Sequence, residues 1–196
     1  SEWMILDGDL NHEYLVVRSG HIELPDEALA EIRDERMLEK DDQQAIPDCQ
    51  IDIVIGAPGR LYVVLPTEVR PELPFACNAP FVQTPDRASL KAPEISPTNR
   101  FLLDYAGQLA ASTMLGWLGR ASESVESRSA AYSLMPDGES RDESVAGSCT
   151  RTITHGFNRV IEDQPILLTT AGDVVGPKQC VSYPEKLYEV WSEDQL

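Results

Sequence analysis

Residues 59–90, GRLYVVLPTEVRPELPFACNAPFVQTPDRASL, constrain the fold more tightly than any other stretch: two extended apolar runs are separated by a proline-punctuated loop. A strand is expected over 60–65, a second extended run over 75–84 ending toward Arg87, and a long amphipathic helix beyond it. Arginine at a strand end is suited to phosphate, because its planar guanidinium makes two-pronged contacts with anionic oxygens.

The flanking sequence fits an α/β order. Residues 3–6 and 14–18 read as strands around a polar turn, with Tyr14, Val16 and Val17 carrying the β-branched and aromatic weight. After Pro25, residues 26–40 read as a helix, with acids early and Lys40 late, as the helix dipole prefers. Over 50–55, Ile51, Ile53 and Ile55 alternate with Gln50, Asp52 and Val54, the period-two pattern of a strand with one buried face. The short turn 56–59 then predicts antiparallel pairing of 50–55 with 60–65.

From Pro97 onward, Leu102, Tyr105, Ala106, Leu109, Thr113, Met114 and Trp117 recur at helical spacing, with Thr98 or Asn99 as cap. Gly107 and Gly116 each cost that helix about 1 kcal/mol in propensity, which predicts close approach to a neighbouring strand. Residues 119–147 are rich in Ser, Glu and Arg and read as a flexible linker or as the approach to a second helix. That helix is expected over 141–161, where Val145, Cys149, Ile153, Phe157 and Val160 follow at spacings of four and three. Residues 165–169 and 174–175 read as two short strands turned by Gly172.

Composition narrows the function classes. At 196 residues and 42% hydrophobic, the chain can bury a sizeable core. Its formal net charge of −17 repels phosphate backbones and anionic headgroups, so neither nucleic acid nor membrane is an expected partner. No apolar run reaches the roughly 18 residues of a spanning helix, and the first residues lack the basic and hydrophobic regions of a signal peptide. A soluble, cytoplasmic protein is the expectation. Cys49, Cys77, Cys149 and Cys180 are widely spaced and read as buried thiols in a reducing compartment.

Asp7, Asp9 and Asn11 have the one-three-five spacing of a calcium loop, but His12 and Arg18 occupy the positions that need Gly and Glu, which favours a solvated turn. His12, His21 and His155 lack zinc-site spacing, so no metal site is expected. No serine is marked as an activated nucleophile. The acidic run from Asp26 to Glu39 reads most simply as a solvated face.

The central segment resembles the sacsin-type branch of the GHKL ATPases, relatives of the ninety-kilodalton heat-shock chaperone, whose pattern reads lYxxLPt…lPFxxNadFxxtxxRxxl…N..LL. Leu61, Tyr62, Leu65, Pro66, Thr67, Leu73, Pro74, Phe75, Asn78, Phe81, Thr84, Arg87, Leu90, Asn99, Leu102 and Leu103 fall in register with it. The likeness extends over residues 14–118. Pro80, Ala88 and Thr98 depart from it, standing where the branch has an acidic residue, a glutamate and a tryptophan.

The resemblance implies a two-layer α/β domain: a mixed, mainly antiparallel sheet with helices on one face, akin to the middle domain built on the ribosomal S5 second-domain fold. It implies a middle domain over 1–118 and an extension over 119–196 toward a following module. It further implies that Arg87 reaches the γ-phosphate of ATP, with Gln83 near the strand end and Lys91 about one helical turn away assisting. The E-x-x-x-N helix and D-x-G-x-G loop of a GHKL nucleotide pocket are missing, since Asp7, Gly8 and Asp9 are followed by Leu10 and Asn11. ATP and Mg²⁺ are therefore expected only through a separate N-terminal ATPase domain of a larger protein, with protein clients as further partners. A non-catalytic interaction scaffold derived from the same fold, in a chaperone or anti-phage defence assembly, is the alternative.

Overall fold

The computed structural model describes residues 2–7, 13–37, 49–138 and 140–180. Strands β1 (Glu2–Asp7) and β2 (Glu13–Arg18) pair antiparallel from Glu2 opposite Arg18 to Asp7 opposite Glu13. β3 (Asp52–Ile55) continues the sheet antiparallel to β2. The strand begins two residues later than expected, and the isoleucine alternation carries through in part: Ile51 and Ile53 are fully buried, while Ile55 is half-buried.

β4 (Leu61–Val63) does not pair with β3. β6 (Phe75–Asn78) lies between them, antiparallel to β3 and parallel to β4, and β5 (Leu65–Pro66) closes the edge, giving the order β1-β2-β3-β6-β4-β5 among the described residues. The turn 56–59 is therefore a crossing rather than a hairpin. Gly59 explains how it fits: a Cβ there would lie 2.3 Å from the Pro71 carbonyl oxygen and 2.7 Å from that of Leu73. The 60–65 run also breaks at Val64, whose φ of 64° ends one strand and starts the next. The result is a mixed, mostly antiparallel sheet packed with helices.

Helix α1 (Asp26–Glu35) is shorter than expected, because Arg36 and Met37 turn out of it and Met37 takes a φ of 53°. Residues 38–40 of the expected helix lie outside the described residues. Helix α2 (Pro97–Leu118) buries Leu102, Leu103, Ala106, Ala110 and Met114 in the core against Ile53, Phe75 and Cys77. Its cap is Ser96, whose hydroxyl oxygen accepts the Asn99 N–H at 3.1 Å, and Pro97 occupies the first helical position. This corrects the expected cap by two or three residues and follows from the preference of proline for that site.

Glu31 of α1 buttresses the same end, accepting from the Ser96 hydroxyl and the Thr98 N–H, both at 2.9 Å. The Thr98 hydroxyl donates to the Ala28 carbonyl at 3.2 Å. Part of the acidic face of α1 thus docks α2 instead of facing only solvent.

Helix α4 (Val145–Ile161) packs along α2. It starts four residues later than expected, where the Ser144 hydroxyl accepts the Gly147 N–H at 3.3 Å. A Cβ on Gly107 would sit 2.0 Å from the Ile153 carbonyl oxygen, and one on Gly156 would sit 2.1 Å from that of Asp104. The two helices therefore run antiparallel with their backbones nearly touching. Gly107 does permit close approach, but to a helix and not to a strand, while Gly116 faces open space.

Residues 119–147 are not a free linker. They hold α3 (Val125–Ser129) and a 3₁₀ turn (Ala130–Leu134), and buried Arg128 donates to the Leu118 carbonyl at 2.7 Å and the Gly172 carbonyl at 2.8 Å. β7 (Leu167–Leu168) and β8 (Val174–Val175) form the expected antiparallel pair. The Tyr132 hydroxyl links this pair to the 3₁₀ turn, donating to the Ile166 carbonyl at 2.7 Å and accepting the Leu168 N–H at 2.8 Å. One hydrophobic core runs from Val17 to Phe157. Trp117 is half-buried, edge-on to Trp3 at 6.0 Å, with the Arg120 guanidinium 4.4 Å over the Trp3 ring. No helix among the described residues is long and apolar enough to cross a membrane.

Candidate functional site

Arg87 is not at a strand end. β6 stops at Asn78, and the chain runs out through Pro80 and Phe81, reverses over 84–89 and returns to the core at Leu90. The sequence Thr84-Pro85-Asp86 makes the reversal. The Thr84 hydroxyl donates to Asp86 Oδ1 at 2.6 Å, the Ala88 N–H donates to the same oxygen at 3.0 Å, and the Arg87 N–H donates to the Thr84 carbonyl at 2.8 Å. The Thr84 hydroxyl, then the Ala88 N–H, hold the Asp86 carboxyl below its ordinary range. Arg87 takes a φ of 59°, a left-handed conformation uncommon outside glycine that surrounding bonds must enforce.

Those bonds grip the loop at three levels. At its base, buried Asn99 accepts the Val82 N–H at 2.7 Å and donates to the carbonyls of Val82 and Lys91, both at 2.8 Å. One side-chain amide thus clamps the outgoing and returning chains together. Midway, Gln83 faces Leu90 in an antiparallel bridge, and the Gln83 side chain donates to the Arg87 carbonyl at 3.0 Å. At the tip, the Ala88 carbonyl accepts the Glu68 N–H at 2.8 Å, tying the turn to the segment after β5. Only the Arg87 side chain is left over. It is exposed, and its guanidinium makes no hydrogen bond or ion pair among the described residues.

The other two candidates are engaged differently. Gln83 braces the Arg87 main chain, as above. Lys91 is not on a helix; its N–H donates to the Val82 carbonyl at 3.0 Å, and its ammonium is paired with Glu35 of α1. The hydrogen bond that the Lys91 ammonium donates to Glu35 is the main cause that raises it above its ordinary value, opposed by burial and aided by the charges of Glu35, Glu31 and Asp34. The loop thus brings Gln83 and Arg87 together and turns Lys91 toward α1. A cavity of about 360 Å³ lies beside it, walled by Ile32 and Glu35 of α1 and by Phe81, Gln83, Pro85 and Arg87. A larger recess of about 530 Å³ between Pro25, Phe101 and His155 contains none of the three candidates.

Sequence reasoning listed Asn99 in the pattern but missed its role as a clamp. The signal was present in part: Ser96-Pro97 marks the helix start, which puts Asn99 in the first turn with its amide free to reach sideways. The polar turn of the calcium-like loop lies at 8–12, outside the described residues. Among the described residues no group of three or more His, Cys, Asp or Glu could hold a metal ion. His155 is exposed and lies 3.4 Å from Asp104, whose other oxygen accepts from Arg159 at 2.7 Å. Cys49, Cys77 and Cys149 are buried and Cys180 is only half-buried. A scan against protein-family models and searches of curated proteins and of solved structures find no match to this chain.

Proposed function

We propose that this chain is the middle, or transducer, region of a sacsin-type, chaperone-like GHKL ATPase, with a core of the ribosomal S5 second-domain kind. Arg87 is its contribution to ATP hydrolysis. In this reading ATP and Mg²⁺ are bound by a separate N-terminal domain, closure brings the two domains together, and the guanidinium meets the γ-phosphate. A planar cation fixed there offsets the negative charge that builds up on the transferred group.

The observation that carries the reading is the contrast within one residue. The main chain of Arg87 and its neighbours is held by Asn99, Gln83, Asp86 and Glu68, while its guanidinium has no partner among the described residues. Because the backbone beneath it is already ordered, only the rotamer freedom of the arginine side chain remains to be lost when the guanidinium meets an anion. Gln83 acts as a brace for Arg87. Lys91, joined to Glu35, anchors the loop to α1.

The test is made in the parent protein. Arg87→Ala should leave ATP affinity nearly unchanged and slow hydrolysis at least about tenfold, about 1.4 kcal/mol of transition-state stabilisation. Arg87→Lys should restore only part of the rate, since an ammonium lacks the two-pronged geometry. The melting temperature of this chain should not move with either variant. An unchanged turnover number would overturn the reading and favour an interaction scaffold.

A further inference from the structure

Three helices meet around the recess of about 530 Å³ that the Arg87 loop does not share, a volume inside the roughly 300 to 1,000 Å³ of small-molecule sites. Pro25 at the start of α1, with Pro97 and Phe101 near the start of α2, gives it an apolar lining, and Arg151 and His155 wall it from α4. The walls are held by main-chain contact. A Cβ on Gly156 would sit 2.1 Å from the Asp104 carbonyl oxygen, so α4 lies as near to α2 as backbones allow and carries the neighbouring His155 to the Asp104 carboxylate.

Two polar groups here are oriented yet keep bonding capacity to spare. Arg151 donates through Nη1 to the carbonyls of Ser140 and Asp142, while its Nε and Nη2 make no hydrogen bond, and its guanidinium no ion pair, among the described residues. The Glu94 and Asp142 carboxyls feel its charge, but each is lowered chiefly by a serine hydroxyl, that of Ser148 and Ser144 respectively. His155 is the other group. Asp104 Oδ2 accepts from Gln108 at 2.8 Å and from Arg159 at 2.7 Å, which leaves Oδ1 facing His155 Nδ1 at 3.4 Å. A carboxylate there favours the proton on Nδ1, so in the neutral ring Nε2 is an acceptor. Arg100 also walls the recess, 3.6 Å from Glu27, both more than half exposed and screened by water. Arg159 thus offsets Asp104 and Arg100 offsets Glu27, and Arg151 is the uncompensated charge of the recess on a chain of net charge −17.

We infer that this recess binds a small aromatic carboxylic acid: its carboxylate on Arg151, its ring against Phe101 and the two prolines, and a hydroxyl at its far end on His155 Nε2. Arg151 and His155 stand four residues apart on one face of α4, about 6 Å of rise, which is the scale of a benzene ring with a substituent at each end. The guanidinium supplies a two-pronged contact to the carboxylate, and the flat apolar lining suits an aromatic body. The site stands whether or not Arg87 meets a phosphate.

The test titrates the intact chain with 4-hydroxybenzoate, followed by calorimetry and by backbone and imidazole NMR signals. Saturable binding with a Kd of about 1 mM or below is expected, with signals moving over 97–104 and 151–155 and not over 83–91. Benzoate lacks the hydroxyl, phenol the carboxylate and acetate the ring, and each should bind at least about fivefold more weakly. Arg151→Gln should weaken 4-hydroxybenzoate about tenfold. Because Arg151 also tethers the carbonyls of Ser140 and Asp142, His155→Ala is made alongside it; His155 is exposed, so its loss leaves the fold undisturbed. That variant should weaken 4-hydroxybenzoate and leave benzoate unchanged, a difference that a purely structural histidine would not produce. No saturation up to about 10 mM, signals that move elsewhere, 4-hydroxybenzoate no tighter than acetate, or equal losses for both acids in His155→Ala would overturn the site.

Discussion

Asn99→Ala is the substitution that most directly probes how the Arg87 loop is held. Removing the amide takes away three hydrogen bonds, but the Val82 carbonyl keeps the Lys91 N–H at 3.0 Å, so two groups are orphaned: the Val82 N–H and the Lys91 carbonyl. Each unsatisfied buried group costs about 1 to 3 kcal/mol, and both lie at the margin of the core where water gives partial relief. A loss of about 3 kcal/mol is therefore expected. For a chain of this length each kcal/mol lowers the melting temperature by roughly 2 to 4 °C, so the drop should be about 6 to 12 °C. Asn99→Asp should be no better, because a carboxylate can still accept from Val82 but then faces two carbonyl oxygens. Gln83→Ala removes one exposed bond and should cost about 1 kcal/mol or less. Calorimetry gives the total, and native-state hydrogen exchange gives the locality: the Lys91 amide should lose more protection in Asn99→Ala than amides of β3. A melting temperature within about 2 °C of the unmodified chain, or unaltered protection at Lys91, would refute the clamp.

Gly107→Ala should destabilise the chain by about 3 kcal/mol, because its Cβ would meet the Ile153 carbonyl oxygen at 2.0 Å and neither helix backbone can yield cheaply. Gly116→Ala, with nothing within 4 Å, should instead stabilise by up to about 1 kcal/mol, and urea unfolding of the two variants measures the opposite signs. In a thiol titration of the native protein near pH 8, Cys180 should react first. Burial, with help from Glu94, pushes the Cys149 thiol up to about 12, and burial raises Cys77 as well, so these two should react only on unfolding; fast native labelling of either would contradict their burial.

The elements that were legible in the sequence are those whose pattern reports local burial. Ile51 and Ile53 gave β3, and the apolar spacings from Leu102 to Met114 and from Cys149 to Phe157 gave the two long helices. What was not legible depends on contacts distant in sequence. A short turn predicts a hairpin, yet β6 separates β3 from β4, because Gly59 lets the chain pass tightly against Pro71 and Leu73. The end of α1 at Glu35 was likewise hidden, since Glu31 and Glu35 serve α2 and Lys91 rather than solvent alone. For the site, the resemblance drawn from the sequence singled out Arg87 but not its conformation. Thr84-Pro85-Asp86 is a turn signature, and read for its chemistry it would have put Arg87 at a loop tip rather than at a strand end. The strained Val64 carries no sequence signal, because a valine between two apolar neighbours reads as strand.

The crossing of α2 and α4 at Gly107 and Gly156 makes a lever of α2. Asn99 and Gly107 stand on one continuous helix, separated by about 12 Å of rise at 1.5 Å per residue. Its first turn grips both arms of the Arg87 loop, and its middle bears on the backbone of α4 without an intervening cushion of side chains. Side-chain layers absorb small displacements by changing rotamer; a backbone-to-backbone fulcrum has no such slack. The link between α4 and the two arms of the Arg87 loop is thus one continuous helix and two contact points.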